Sequence, residues 1–190
     1  MRIVGGRLRG RNLSAPKSQA IRPTADRLRE SLFNILAHGY GDPITDARVL
    51  DLFAGTGALG LEAISRGAVF ALFVDDGTEA RALMRDNVET LGLGGVTRIF
   101  LRDATKLGPA HPIEPFTLVF LDPPYGKSLA EQALISAREG GWLAQEALMI
   151  VEEETGAFTL PPGFEHIERR SYDDTELSFL RLTAVRSPPP

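Results

Sequence analysis

Four consecutive residues, Asp122-Pro123-Pro124-Tyr125, combine a carboxylate, a main-chain carbonyl and an aromatic ring in one tight turn. That set suits methylation of an exocyclic amino group. The lone pair of such an amine is delocalised into its ring, so the nitrogen is a poor nucleophile while planar. Asp122 and the Pro123 carbonyl can each accept one of its hydrogens, which favours a pyramidal nitrogen whose lone pair points at an electrophile. The prolines fix φ and remove competing N–H donors, and Tyr125 offers a face on which a base can stack. Asp122, Pro123, Pro124 and Tyr125 are therefore the candidate catalytic residues. Transfer of a sulfonium methyl is an in-line displacement, which draws more on positioning than on a strong base.

A donor of that kind needs a cradle, and Gly55-x-Gly57-x-x-Gly60 offers one directly after the apolar run at residues 49–53. Gly55 and Gly57 permit positive φ and close backbone approach, while Gly60 lets the following helix pack tightly on the strand. The spacing also satisfies the dinucleotide fingerprint, with Asp75 lying 20 positions beyond Gly55. A nicotinamide cofactor is allowed on that ground alone. Asp51 argues against it, because a carboxylate there would repel a pyrophosphate but suits the ammonium group of an amino-acid-like ligand. Nor has the DPPY turn any place in hydride transfer. Together the two motifs point to S-adenosylmethionine as donor, with S-adenosylhomocysteine as product.

Two further carboxylates fall at strand ends. Asp75 can accept from the ribose hydroxyls of the cofactor. Its neighbour Asp76 suits a helix N-cap instead, since Glu79 stands three residues later and would complete a capping box. Asp103, followed by Ala104, falls where the adenine edge would lie, and can accept from the adenine amino group. With Phe53 at the end of the first strand, Asp51, Phe53, Gly55, Gly57, Asp75, Asp103 and Ala104 make up the candidate cofactor contacts.

The elements that must position these residues are readable as well. Residues 49–53, 69–74, 96–101, 116–121 and 147–151 are short apolar runs bounded by turn signals, which predicts strands. Helices are predicted at 58–66, 78–91 and 128–138. Ligands of an open α/β sheet sit beyond the carboxyl ends of its strands, and every candidate falls there. Residues 164–172 and 176–185 alternate as a closing hairpin around Asp173-Asp174. The run Glu152-Glu153-Glu154 reads as solvated.

The N-terminal stretch is of a different kind. Residues 1–13 read as a short glycine-interrupted β-hairpin with Arg7, Arg9 and Arg11 on its exposed side. A polar linker at 15–19 leads to a helix with Thr24 as N-cap and Leu28, Leu32, Ile35 and Leu36 on one face. Arg22, Arg27 and Arg29 remain available to a ligand.

Residues 1 to 30 carry eight basic side chains against two acidic ones, a net +6 on a chain whose total is −4. A basic arm on an acidic body fits a polyanion gripped at one end. At 190 residues the chain has room for one α/β domain and a small extension. It has no cysteine, which excludes disulfides and thiolate metal sites. His38, His111 and His166 show no ligand spacing, so no metal is expected. No run approaches a membrane span and no secretory leader is evident.

Arg2-Ile3-Val4-Gly5-Gly6, Arg9-Gly10-Arg11 with Leu13, Arg22-Pro23-Thr24 with Arg27, Glu30 and Phe33-Asn34, then Asp51 to Gly57 and Asp122 to Tyr125, occur in this order in one family. The chain resembles the RsmD-type 16S ribosomal RNA guanine-N2 methyltransferases from residue 1 to about residue 185. The N-terminal arginine pattern is the specific part, because the other motifs are shared with many amino-methyltransferases. The resemblance implies an α/β fold: a Rossmann-like class I methyltransferase sheet, mostly parallel with a C-terminal antiparallel hairpin, plus a small N-terminal β-hairpin and helix extension. Residues 1–40 would form the RNA-contacting extension, 41–186 the methyltransferase domain and 187–190 a disordered tail. It further implies S-adenosylmethionine as cofactor and a guanine of 16S RNA, in a small-subunit assembly, as acceptor. Arg2, Arg7, Arg9, Arg11, Arg22 and Arg27 would contact that RNA, and a cytoplasmic monomer is expected. One departure from the family pattern is Asp75-Asp76-Gly77, where an acidic, apolar, acidic run is common.

Two other readings share these residues. An adenine-N6 methyltransferase could use the same DPPY turn, although DNA enzymes usually add a target-recognition domain. A catalytically silent RNA-binding assembly factor would keep the fold but has no need of an intact turn.

Overall fold

The computed structural model describes residues 1–16 and 26–184. The Thr24 cap, Arg22, most of the linker and the 187–190 tail lie outside the described residues.

Helix α1 (Asp26–Gly39) precedes β1 (Arg48–Leu52), α2 (Ala58–Ser65), β2 (Phe70–Asp75), α3 (Thr78–Leu91) and β3 (Thr97–Leu101). Then come β4 (Phe116–Leu121), α4 (Leu129–Glu139), β5 (Leu143–Glu154), β6 (Phe164–Tyr172) and β7 (Thr175–Leu182). The strands form one sheet in the order β3-β2-β1-β4-β5-β7-β6. The first five run parallel, and β7 inserts antiparallel between β5 and β6. This is the expected class I methyltransferase sheet with its antiparallel C-terminal strands.

Because both faces of the central strands are covered, they are apolar without alternation. Val49, Ala71, Phe73 and Phe120 pack with Leu32, Phe33 and Leu36 of α1, Leu61 and Ile64 of α2 and Met84 of α3. Leu50, Leu52, Leu72, Val74, Val119 and Leu121 face the other way, toward α4, Trp142 and Leu107. The central strands are thus the middle of three layers.

The arm at residues 1–13 differs from the expected hairpin. It forms no strands. One isolated antiparallel bridge joins Arg2 to Asn12, and the turn between them is a 3-10 turn at Gly6–Leu8. Within the loop the Ile3 N–H donates to the Arg11 carbonyl at 2.9 Å and the Leu13 N–H to the Met1 carbonyl at 3.0 Å. Other backbone groups of the arm bond to α2 instead of to a second strand.

That choice follows from the sequence of α2, whose eight residues are all buried. A helix buried all round must satisfy its polar side chains internally. Glu62 and Ser65, one turn apart, do so through the arm. Glu62 accepts from the Val4 N–H at 2.9 Å and from Arg66 Nε at 2.7 Å. Ser65 Oγ accepts from the Leu8 N–H at 2.9 Å and donates to the Gly5 carbonyl at 2.6 Å. The contact is so close that a Cβ on Gly6, whose φ is +74°, would lie 2.0 Å from the Ser65 carbonyl oxygen.

Arg29 also departs from expectation. It is fully buried rather than open to a ligand, paired with Asp26 at 2.7 Å and lying 3.6 Å from Glu62. Its guanidinium additionally donates to the Arg2 carbonyl. A buried cation needs countercharge and acceptors, and here Asp26 of α1, Glu62 of α2 and the Arg2 carbonyl of the arm provide them.

Candidate active site

Leu52, the last residue of β1, lies opposite Leu121, the last residue of β4. The glycine turn and the DPPY turn therefore leave the sheet at the same level, side by side. The Asp122 N–H reaches the Leu52 carbonyl at 3.5 Å. From β1 the chain moves outward to β2 and β3, then returns to β4 on the other side of β1. Such a reversal point is where open α/β sheets bind ligands.

The first turn is tightly shaped. Phe53 adopts a φ of 58°, a left-handed conformation uncommon for a bulky residue. The Ala54 N–H donates to the Val74 carbonyl of β2 at 3.1 Å, and Gly57 occupies the N-cap of α2 with a φ of 77°. A Cβ on Gly60 would lie 2.4 Å from the Phe73 ring, so the predicted close packing of helix on strand is present.

Asp51 is 1% exposed, and its Oδ2 accepts from the Gly60 N–H at 2.9 Å. That N–H belongs to the first turn of α2, where the helix has donors without intrahelical partners. Burial pushes the Asp51 carboxyl up to about 8, against the pull of the Gly60 N–H and reinforced by the charge of Asp75. Asp75 is braced by both oxygens, which accept from the Gly55 N–H at 2.9 Å and the Gly77 N–H at 2.8 Å. Its carboxyl is raised by burial, while the two N–H donors work in the opposite direction.

The expected Asp76–Glu79 capping box does not form. Gly77 occupies the N-cap of α3 and no side chain caps the helix. Asp75 has taken the Gly77 N–H, and the helix starts one residue beyond it. Asp103 has a local task as well. Its Oδ1 accepts from the Thr105 N–H at 2.8 Å and the Thr105 hydroxyl at 2.7 Å, capping the 3-10 turn Ala104–Lys106. The Thr105 donors hold the Asp103 carboxyl below its ordinary value, and Lys106 adds to the effect. Ala104 is buried against the α4 side of the sheet.

In the second turn Pro123 is buried, Asp122 and Tyr125 are half-buried and Pro124 is exposed. The Tyr125 hydroxyl donates to Glu152 Oε1 at 3.1 Å and meets Thr175 Oγ1 at 3.0 Å. The Gly126 N–H donates to Glu153 Oε1 at 3.2 Å. The acidic run at the end of β5 is thus not solvated as expected: Glu152 and Glu153 are buried and only Glu154 is exposed. Their position at the end of a strand beside β4 was the available signal.

Arg2, Arg7, Arg9, Arg11 and Arg27 are exposed. Arg11 also donates to the Thr90 carbonyl at 2.9 Å. The arm borders the site, since the Thr56 hydroxyl of the glycine turn lies 3.5 Å from Met1 Sδ.

The family model described as conserved hypothetical protein 95 matches residues 1–181. Ribosomal RNA small subunit methyltransferase D of Escherichia coli K12 is 42% identical over 166 residues, covering 86% of this chain and 81% of its own. The chain belongs to the RsmD family. The Haemophilus influenzae methyltransferase D is 39% identical over 157 residues, covering 81% of this chain and 79% of its own. Among solved structures, yhhF of Escherichia coli superposes with a TM-score of 0.80 at 36% identity, over 96% of this chain and 97% of that one. A hypothetical protein of Thermus thermophilus gives 0.73 at 34% identity, over 96% and 99%. The family-model match begins at residue 1, so it takes in the arm as well as the sheet.

Proposed function

We propose that the chain transfers a methyl group from S-adenosylmethionine to the N2 amino group of a guanine in 16S ribosomal RNA, within a small-subunit assembly. The β1–β4 register carries this reading, because it sets a cofactor-type glycine turn against an amine-binding DPPY turn. Small-subunit ribosomal RNA methylation is the activity in the names of the RsmD relatives.

When bound, S-adenosylmethionine supplies a methyl group on a sulfonium centre. The backbone of Gly55 and Gly57 with Phe53 would hold its amino-acid end, and Asp51 would face the ammonium. Asp75 is suited to the ribose, since each of its oxygens takes one N–H and keeps a lone pair for a hydroxyl. Asp103 and Ala104 would border the adenine.

Across the switch point, the Asp122 carboxylate and the Pro123 carbonyl take the two hydrogens of the guanine amine, and the Tyr125 ring stacks on the base. After transfer the nitrogen is cationic, and its proton leaves to Asp122 or to water. The base must leave any stack to enter, at a cost of a few kcal/mol in a duplex and less in a loop. Arg2, Arg7, Arg9, Arg11, Arg22 and Arg27 hold the flanking phosphates, which makes residues 1–40 an RNA-contacting extension of the 41–186 domain. The glycine and DPPY turns both come from one chain, in keeping with a monomer.

Labelled S-adenosylmethionine incubated with small subunits that lack the modification, followed by digestion to nucleosides, tests the reading. N2-methylguanosine is expected. Label in adenosine would move the activity to the adenine amine, and RNA binding without transfer would leave an assembly factor.

A further inference from the structure

Asn87 of α3 is 1% exposed and joins two parts of the molecule that the site needs. Its Nδ2 donates to the carbonyl of Thr56, the middle residue of the glycine turn, at 2.9 Å. Its Oδ1 accepts from the backbone N–H of Ser14, at the end of the N-terminal arm, at 2.7 Å. The two partners dictate the orientation of the amide, because a carbonyl requires a donor and an N–H requires an acceptor. Aspartate, the nearest isostere, has no such donor when ionised.

The arm closes on the turn from its other end as well. Met1 Sδ lies 3.5 Å from the Thr56 hydroxyl, and the Leu13 N–H bonds to the Met1 carbonyl. Next to Asn87, the Ser14 hydroxyl pairs with Asp86. Of the two contacts on Thr56, the one from Met1 exists only while the arm lies on the body, and the one from Asn87 is braced by Ser14 only then. If the arm lifts, the buried Oδ1 of Asn87 loses its donor. An amide with one unsatisfied end is no longer fixed in orientation, so it is free to turn, and in turning it takes the donor away from the Thr56 carbonyl.

We propose that Asn87 is a positioning residue that makes arm docking and the cofactor-binding shape of the glycine turn one event, so that RNA on the arm and cofactor in the turn raise each other's affinity. The proposal rests on the reading that the turn holds the cofactor and the arm holds RNA. Coupling through a shared element is reciprocal: what the arm does for the cofactor, the cofactor does for the arm.

Calorimetric titration of the full chain with S-adenosylhomocysteine tests it. Gly6→Ala drives the arm off Ser65 without touching the turn, and Asn87→Asp removes the donor to Thr56. Each is expected to weaken binding about fivefold, the lower end of ordinary coupling, and the double variant no more than the weaker single. Should the aspartate fail to fold, Asn87→Ser cuts the bridge without adding charge. Hydrogen exchange adds an independent readout: S-adenosylhomocysteine should protect the Ile3 and Leu13 amides in the unaltered chain and not in the Asn87 variant. Full affinity in Gly6→Ala, or losses that multiply in the double variant, would overturn the coupling and leave the cofactor site standing. Unchanged affinity in Asp75→Ala would overturn the cofactor reading and the coupling with it.

Discussion

The Tyr125 hydroxyl donates to Glu152 Oε1 across 3.1 Å, tying the DPPY turn to the end of β5. The ring proposed to receive the base is thereby oriented by a strand that holds none of the predicted site residues. A stacking platform works only if its plane is held, so under the proposed function the tether would act as a positioning contact without touching the substrate.

Glu152→Ala should release the ring while leaving the cofactor turn intact. A hydrogen bond to a charged group contributes about 1.5–3 kcal/mol, so kcat/KM for RNA should fall by about one to two orders of magnitude. S-adenosylhomocysteine affinity, read by calorimetry, should stay unchanged. A parallel loss of both would make Glu152 a general structural support.

Under the proposed function, Asp122→Ala removes an acceptor needed in the transition state. Loss of one such preorganised group costs about 100- to 1,000-fold in kcat. Single-turnover transfer should show that loss, with cofactor affinity within a few fold of the unaltered chain. An equal fall in both would assign Asp122 to binding.

Asp51 should leave a mark on the pH dependence of stability. Burial lifts its carboxyl from 3.8 to about 8, so the folded chain holds that proton more tightly than the unfolded one. The resulting stabilisation is complete below the unfolded value and is lost as pH rises through the folded one. Between those limits melting temperature should fall with pH more steeply in the unaltered chain than in Asp51→Asn, which cannot ionise. A ligand ammonium favours the charged carboxylate, so cofactor binding near neutrality should release a proton, measurable as a binding heat that varies with the ionisation heat of the buffer.

Neutralising Arg7 and Arg9 should weaken RNA binding and flatten its salt dependence. Each lost phosphate contact on a single strand lowers the log–log slope by about 0.7. Filter binding at several salt concentrations reads the slope directly. An unchanged slope would remove the arm from the phosphate grip.

The core of this fold was legible because parallel strands buried on both faces are unbroken apolar runs. Leu50, Leu72 and Val119 need no alternation to be recognised, and Gly55 to Gly60 marks where the first strand turns. The two turns were legible as strand-end turns for the same local reason: each is complete within a few residues. Charged residues were harder. Arg29 and Glu62 meet only because the arm and α1 fold over α2, and Glu152 meets Tyr125 only through the β4–β5 pairing. Residue type alone does not distinguish such groups from solvated ones. The arm misled for a related reason, since the Val4 and Leu8 amides bond to Glu62 and Ser65 and only one bridge joins its two sides.

The placement of β7 between β5 and β6 has a consequence for how activity is acquired during synthesis. Thr175, which meets the Tyr125 hydroxyl, lies later in the chain than every other residue of the site, and its strand can pair only after β6 has emerged. A nascent chain that has already produced both turns would still lack that partner. Under the proposed function, the Tyr125 hydroxyl gains its Thr175 contact only with the final strand, so the base platform is fully braced only once the sheet is closed.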